Sequence, residues 1–438
     1  MIPTNNSNLN VAFETHGCKL NQADTLVLSS EFKNAGYQLT DEINKCDVFV
    51  LNTCTVTHIA DRKGRQSARA AKRQNPKAIV VVTGCYAERA KPELENIPEI
   101  DIVLDNKSKS LIVEKVSQLL KTNVPDKITN ESILYFNENE SVIKNRAMIK
   151  IQEGCNQVCS YCIVPKVRGR EKSIPTEVLI NKINTLTAGG FKEVILTGTQ
   201  LGSYGFDIPN NNLITMLKHV INKTSIPRIR VSSLQAQEIT SELLSLWENE
   251  RLCQHFHVPL QSGSDQVLKK MRRRYTSDDF IKTIDLIKTN IPTSSITTDV
   301  IVGFPDETHS DFEKTMDISE YSKFSDMHVF KFSSRPGTTA YHLPDNVSHQ
   351  TKSYRSSNLI RLSKQGYKEF RSNYNRKPEV VLWENSTIQS DKYKLHGLTR
   401  NYIRVVGYGE TDVSNTIQKV TLNFNQSDPF GPMVTSPC

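Results

Sequence analysis

The strongest constraint on the fold is a repeated alternation of short apolar runs with helical patterns, in which each of the first three runs is followed closely by a cysteine. Val11-Ala12-Phe13 reads as a strand, Asn21 to Ala35 as a helix ended by Gly36, Val48 to Leu51 as a second strand, and Val56 to Gln74 as a second helix stopped near Pro76. Ala78 to Val82 gives a third strand, Tyr86 opens another helix, and Ile102 to Leu104 gives a fourth strand. This order predicts a parallel sheet with helices on its faces. Loops leaving the carboxyl ends of parallel strands open onto one edge of the sheet. Cys18, Cys54 and Cys85, which lie in the loops after the first, second and third strands, are therefore expected to meet in space. Buried cysteines are common on their own, but the same placement after three successive strands is better explained by a metal cluster. His16 and His58 lie near this triad and read as neutral loop histidines. Cys46, Cys253 and Cys438 fit neither cysteine pattern and read as structural or incidental.

A second, compact set of cysteines follows the run Ala147 to Ile151, itself read as a strand. Cys155, Cys159 and Cys162 stand at the spacing C-x3-C-x2-C within Gly154-Cys155-Asn156-Gln157-Val158-Cys159-Ser160-Tyr161-Cys162. Three thiolates on one tight loop can hold three corners of a cubane iron-sulfur cluster and leave the fourth iron without a protein ligand. A structural zinc site needs four closed ligands, usually from two paired knuckles, and no matching second pair follows downstream. Packing explains the loop poorly, because Asn156, Gln157 and Ser160 separate the cysteines.

Beyond this loop the alternation resumes. Strands are expected at Glu193 to Leu196, Arg228 to Ser232, His255 to Val258, Ile296 to Val302 and His328 to Phe332, with helices such as Glu177 to Thr187 and Phe280 to Lys288 between them. Repeated βα units of this kind suggest a full or partial (β/α) barrel whose ligand edge lies at the carboxyl ends of the strands. Gly198, Ser232 and Gly303 fall at that edge and are small enough to leave room for a bound cofactor, as are Gln261-Ser262-Gly263 beside His257. Val347 to Tyr374 reads as a long helix, and Glu379 to Trp383, Tyr402 to Val406 and Val420 to Phe424 as strands of a small all-β module. The polar segment from Lys121 to Asn145 is a candidate boundary.

The 438 residues suggest about three domains. The polar start Met1-Ile2-Pro3-Thr4-Asn5-Asn6 lacks the apolar core of a signal peptide, and no apolar run is long enough to span a bilayer, so a cytoplasmic protein is expected. Nine cysteines, an odd number, fit a reducing compartment better than a disulfide framework. A net charge of +8 favours polyanionic partners. Arg62, Lys63, Arg65, Arg69, Lys72 and Arg73 on the second helix, and Arg272-Arg273-Arg274, are candidate RNA-phosphate contacts, a solvated face being the plainer account of each.

The cysteine loop resembles the cluster-binding loop of radical S-adenosylmethionine (SAM) enzymes, and the six cysteines in this order resemble the methylthiotransferase family over nearly the whole chain. Gly17-Cys18-Lys19-Leu20-Asn21, Asn52-Thr53-Cys54-Thr55-Val56-Thr57 and Gly397-Leu398-Thr399-Arg400-Asn401-Tyr402-Ile403 are most similar to the branch acting on N6-threonylcarbamoyladenosine beside the tRNA anticodon, at position 37. Pro259-Leu260-Gln261-Ser262-Gly263-Ser264 and Arg335-Pro336-Gly337-Thr338 are also family-like. Gln235-Ala236-Gln237 departs from a more usual Glu-Pro pair, and Asp306 stands where glycine is common.

The resemblance implies an α/β chain with an N-terminal parallel-sheet domain over residues 1–125, a partial (β/α) barrel of radical SAM type over 141–372 and a TRAM-like β module over 373–438. It implies two [4Fe-4S] clusters, one on Cys155, Cys159 and Cys162 that binds SAM and generates a radical, and an auxiliary one on Cys18, Cys54 and Cys85 that carries sulfur. The reaction implied is insertion of a methylthio group at C2 of the modified adenine of tRNA, with electrons from a donor such as a flavodoxin or ferredoxin. Such an aromatic C–H offers no acidic proton for a side chain to remove, so cofactor radical chemistry is needed. Alternatives are a methylthiotransferase acting on isopentenyl-adenosine in tRNA or on a ribosomal-protein aspartate, and a noncatalytic metal-binding RNA-binding protein.

Overall fold

The computed structural model describes residues 9–121, 145–389, 391–428 and 431–436. The start of the chain, most of the Lys121 to Asn145 segment and Cys438 lie outside these residues. The described chain divides into two compact units, the first comprising 9–121, 148–172 and 333–341 and the second comprising 145–147, 173–332 and the chain from 342.

In the first unit, five strands run as β1 (Asn10–Thr15), β2 (Gln38–Leu39), β3 (Val48–Thr53), β4 (Ile79–Gly84) and β5 (Ile102–Leu104). They form one sheet in the order β2-β1-β3-β4-β5, every pair parallel. Helices α1 (Lys19–Asn34), α2 (His58–Gln74), α3 (Cys85–Glu95) and α4 (Ile112–Leu120) alternate with them. Alternate residues of β3 face opposite ways, so the sheet separates two cores. Val48 and Val50 pack with Leu28 and Phe32 of α1 and with Ile112 and Val116 of α4. Phe49 and Leu51 pack with Ala68 of α2 and with Tyr86 and Leu94 of α3. Because β3 and β4 are covered on both faces, all twelve of their residues are buried, and the sequence reads as unbroken apolar runs instead of an alternation.

The sequence places Cys18 and Cys85 in loops, whereas the structure places both at helix starts. Cys18 is the residue before α1 and Cys85 the first residue of α3. Thr57 caps α2 by accepting from the Ala60 N–H at 3.2 Å, so that helix begins two residues later than its apolar pattern suggests.

The cysteine loop follows β6 (Arg146–Lys150) and β7 (Gln152–Glu153), and leads through the short α5 (Val164–Val167) to β8 (Lys172–Ser173). In the second unit come α6 (Thr176–Ala188), β9 (Glu193–Thr197), α7 (Leu213–Lys223), β10 (Arg228–Val231), α8 (Ser241–Ser245), β11 (His255–His257), α9 (Asp265–Lys270), α10 (Ser277–Asn290), β12 (Ser295–Val302), α11 (His309–Ser322), β13 (Asp326–Lys331) and α12 (His349–Ser372). The strands form two sheets, β10-β9-β6 and β11-β12-β13, with β9 and β10, β11 and β12, and β12 and β13 paired in parallel, joined between β10 and β11 by a bridge of Ser233 to His257. The result is the expected partial barrel, left open between its first and last strands.

A closed five-stranded barrel follows, of β14 (Lys377–Gln389), β15 (Lys392–Thr399), β16 (Arg404–Gly409), β17 (Ile417–Asn423) and β18 (Met433–Ser436), around Val381, Trp383, Val405, Leu422 and Met433. Sequence patterning misses β15 and β18. Lys392–Thr399 carries lysine and histidine among its apolar residues, and β18 is only four residues long.

This small barrel packs against the amino ends of the larger one. Arg228 donates to the Leu398 and Val380 carbonyls at 2.9 and 2.7 Å, and Arg230 to the Arg400 carbonyl at 3.1 Å. Tyr402 stacks on His255 with ring centroids 4.5 Å apart and lies under the guanidinium of Arg230, 4.9 Å from the ring centre. Beneath them the fully buried Glu193 receives Arg230 at 2.8 Å and Arg146 at 3.1 Å, and Arg146 also reaches Glu384 at 2.8 Å. A chain ended at Tyr374 would strip these arginines of their carbonyl partners and open their charges to water. We expect such a truncation to lower the urea midpoint of the remaining barrel sharply, and an unchanged midpoint would show the two barrels to be independent.

Candidate metal centres

The sheet order β2-β1-β3-β4-β5 reverses direction between β1 and β3, the position where sheets of this topology bind ligands beyond their carboxyl ends. Cys18 and Cys54 leave the sheet on either side of this point, and Cys85 leaves from the neighbouring strand. The three converge. The sulfurs of Cys18 and Cys85 each lie 4.0 Å from the side-chain oxygen of Asn21, and a side chain on Gly17 would run into Cys54. Gly17 has φ +98° and its missing Cβ would sit 2.6 Å from Cys54 Cβ, so only glycine lets the first two cysteine loops approach this closely. Gly84 does the same for the third, with φ +96° and a virtual Cβ 2.5 Å from the Thr53 carbonyl oxygen.

The surroundings of this triad are cationic. Arg168, whose side chain is 2% exposed, donates through Nε to Cys85 Sγ at 3.2 Å and through Nη1 to Asp24 at 2.6 Å and Glu153 at 2.5 Å. Its Nη2 also donates to Asn21. Lys109 and Lys150 reach Asp24 at 3.1 and 2.9 Å, so two carboxylates are matched by three cations in this cluster. Arg335 is 1% exposed and pairs through Nη2 with Thr55, the residue after Cys54, and with Asp61 in the first turn of α2. Its Nε and Nη1 are buried without a hydrogen-bond partner. Unpaired buried cationic donors are costly unless an anion meets them, and helix N-termini at Cys18 and Cys85 add partial positive charge. These features fit a cluster held by thiolates. Burial pushes the Cys54 thiol up to about 12 and raises that of Cys85, against the pull of Arg168, so binding a metal there must displace protons.

Cys155, Cys159 and Cys162 lie on one loop, which turns between the last two where the Cys162 N–H donates to the Cys159 carbonyl at 3.1 Å. The loop is pinned at its base. The Cys155 N–H donates to the Gly169 carbonyl at 3.1 Å, and the Asn156 N–H to Glu171 Oε1 at 3.0 Å. From the 333–341 segment the Ala340 N–H reaches the Ser160 carbonyl at 2.6 Å. The 333–341 segment thus contacts both cysteine loops, through Arg335 and through Ala340, a role that its sequence does not disclose. Neither cysteine triad gathers its sulfurs within 4.8 Å of one another, as a lone zinc ion with Zn–S bonds of about 2.3 Å would require.

Other candidate residues fall as follows. His16 Nε2 lies 2.6 Å from Glu14 Oε1, and His58 is exposed. Cys46 and Cys253 are buried, Cys253 beside Glu193, and both are structural. Gly198, Ser232 and Gly303 stand at the carboxyl ends of β9, β10 and β12. Ser232 Oγ donates to the Leu196 carbonyl at 3.0 Å, and the Gly303 N–H to Glu307 Oε2 at 2.6 Å. Asp306 has φ +62°, a conformation that favours glycine, and it is held there by Asn346 at 2.6 Å and Lys270 at 3.0 Å. At the other departure, the Gln235 N–H donates to Glu238 Oε2 at 2.9 Å. On α2, Arg62, Lys63 and Arg73 are exposed, whereas Lys72 pairs with Asp101 at 2.7 Å and Arg65 with Glu93 at 3.0 Å. A cleft of about 450 Å³ opens beside them, lined by His58, Ile59, Arg62, Arg65 and Pro336. Of the second arginine run, Arg273 lies over the Tyr275 ring and donates to Gln235 at 3.1 Å.

Residues 10–105 match the family described as Uncharacterized protein family UPF0004, and residues 149–318 match the Radical SAM superfamily. The chain is 37% identical over 420 residues to the threonylcarbamoyladenosine tRNA methylthiotransferase MtaB of Bacillus subtilis, covering 94% of this chain and 93% of that one. It is 38% identical to the MtaB of Aquifex aeolicus, covering 94% and 99%. The tRNA-2-methylthio-N(6)-dimethylallyladenosine synthase of Clostridium tetani is 32% identical, covering 88% and 87%. Among solved structures, the radical S-adenosylmethionine methyltransferase TsrM of Kitasatospora setae shares the fold at a TM-score of 0.56 and 14% identity, over 76% of this chain and 77% of that one.

Proposed function

The chain belongs to the methylthiotransferase family of radical SAM enzymes, and from that premise we infer that it inserts a methylthio group at C2 of N6-threonylcarbamoyladenosine in tRNA. The observation that carries this reading is the pair of cysteine triads, one dispersed over three strand ends and one on a single loop, each with its own supporting contacts. We assign Cys155, Cys159 and Cys162 to the radical-generating cluster, Cys18, Cys54 and Cys85 to the auxiliary cluster, and Gly198, Ser232 and Gly303 to the SAM edge. When bound, the first cluster supplies the electron that cleaves SAM to a 5′-deoxyadenosyl radical, and the second carries the sulfur to be transferred. The protein's part is to hold these groups and set their charge. Arg168 fixes Cys85 through its Nε while its other nitrogens tie Asn21, Asp24 and Glu153 into one network. Arg335 steadies the Cys54 loop through Thr55 and Asp61. A one-electron donor of the flavodoxin or ferredoxin class completes the assignment. Anaerobic reconstitution followed by nucleoside mass spectrometry tests it: tRNA bearing N6-threonylcarbamoyladenosine should gain a methylthio group, and a product only on isopentenyl-adenosine would reject the substrate assignment.

The small β barrel offers an RNA surface. Tyr408 is 55% exposed and stands opposite Lys394 in the β15–β16 register, and Ile388 is 75% exposed on β14. A stacking aromatic beside lysines suits single-stranded RNA, where one stacked base contributes about 1–3 kcal/mol. Tyr408→Ala combined with Lys394→Glu is expected to weaken tRNA binding at least tenfold at fixed salt. Iron content and melting temperature should stay unchanged, because neither side chain enters the core. Equal affinity of variant and parent in a filter-binding titration would remove this surface from consideration. No helix among the described residues is long and apolar enough to cross a membrane.

A further inference from the structure

Outside both cysteine triads, one more set of side chains is arranged as ligands. His257 ends β11, Asp299 lies midway along β12, and His328 lies on β13. In the parallel register His257 stands opposite Thr297, and Asp299 opposite His328. All four side chains therefore share one face of the sheet. The opposite face carries Phe256, Val300 and Met327, which are buried, and Met327 donates its N–H to Ser363 of α12. His257 Nε2 is 3.2 Å from Asp299 Oδ2, and His328 Nδ1 is 3.1 Å from Asp299 Oδ1. Among the described residues this is the one set of three histidine, cysteine or carboxylate donors whose ligand atoms all lie within 4.8 Å of one another.

We propose that His257, Asp299 and His328 bind a divalent cation of the zinc and ferrous class, with at least one coordination position left open. The separations are compatible with it: ligands held about 2.0–2.1 Å from a tetrahedral ion stand about 3.3 Å apart, and the three ligand atoms here all lie within 4.8 Å of one another, with each histidine nitrogen 3.1–3.2 Å from one Asp299 oxygen. Two imidazoles and one carboxylate select a borderline cation over magnesium or calcium, which prefer all-oxygen shells. The second shell is also in place. Thr297 Oγ1 lies 2.9 Å from His257 Nδ1 and can accept its proton, which turns the lone pair of Nε2 toward Asp299. Accessibility fits an open position, because the His257 side chain is 12% exposed and that of Asp299 28%, while His328 is 56% exposed. An ion held by these three residues would present its remaining position along the side where His328 meets solvent, where an oxygen or sulfur ligand can enter.

The test uses the holoenzyme with both clusters reconstituted, washed with chelator, equilibrated with zinc sulfate under anaerobic conditions and passed through a desalting column. Zinc and iron per chain are then measured by mass spectrometry. The parent should keep about one zinc per chain, and His328→Ala and Asp299→Asn should each lower zinc affinity at least tenfold with iron unchanged. His328 is the decisive position, because an exposed side chain can be removed without unfolding the barrel. Thr297→Val should weaken zinc retention less than removal of a ligand does. Zinc bound equally by parent and His328→Ala, or no zinc retained by the parent, would overturn the assignment. Neither readout depends on methylthio transfer, so failure of the proposed reaction and failure of this site are separate outcomes.

Discussion

Cys159→Ala is expected to abolish 5′-deoxyadenosine formation and to lower iron from about eight to about four per chain, because three thiolates are the minimum set for a site-differentiated cubane. Cys54→Ala should lose the same amount of iron but retain SAM cleavage while yielding no methylthiolated nucleoside. The two variants thus have matching iron contents and opposite cleavage phenotypes. This contrast is the sharpest consequence of assigning the triads to different tasks, and 5′-deoxyadenosine measured after dithionite reduction reads it directly. Undiminished cleavage in Cys159→Ala would exchange or dissolve the assignments. The local structure supports separable loss. Cys159 sits on a turn pinned by Gly169 and Glu171, whereas Cys54 is steadied by Arg335 through Thr55 and Asp61.

The second large effect concerns stability. Arg230→Ala leaves Glu193 buried with its best partner gone, and removing one member of a buried ion pair typically costs about 3–5 kcal/mol. Burial by itself raises the Glu193 pKa, but Arg230, then Arg146 and Arg228, outweigh it and hold the carboxyl at about 2. A carboxyl depressed from its usual 4.5 contributes stability that is complete above pH 4.5 and is lost as the pH falls toward 2. Urea midpoints measured from pH 7 down to pH 3 should therefore fall more steeply for the parent than for Glu193→Gln, which has no proton to take up. Parallel pH profiles for the two proteins would show that Glu193 does not carry the acid sensitivity. The Gln variant should also be less stable than the parent at pH 7, because three guanidinium groups then face a neutral amide.

Much of the fold was legible because its signals are local. Val48 to Leu51 and Ala78 to Val82 are apolar without interruption, as strands buried on both faces must be, and the observed strands lie over them. The convergence of Cys18, Cys54 and Cys85 followed from topology, since a cysteine after each parallel strand is carried to one edge. What stayed hidden depends on partners distant in sequence. Nothing around Arg335 shows that its guanidinium supports the Cys54 loop, and nothing around Arg168 shows that it reaches Cys85. Nothing around Arg146, Glu193, Arg228 and Arg230 shows that they form the buried junction with the small barrel. Asp306 is the converse case. It departs from the family pattern, and the structure keeps the left-handed backbone that explains glycine there, with Asn346 and Lys270 holding the aspartate in place.

Tyr402 makes the two barrels of the second unit behave as a single tool with a fixed handle. Its ring stacks on His255 and lies under the guanidinium of Arg230, so under the proposed function RNA gripped at Tyr408 would be held at a set reach from the strand ends where SAM is assigned. A gauge of this kind would choose its nucleotide by length along the strand as well as by shape. Changing the target position would then require rebuilding the grip itself.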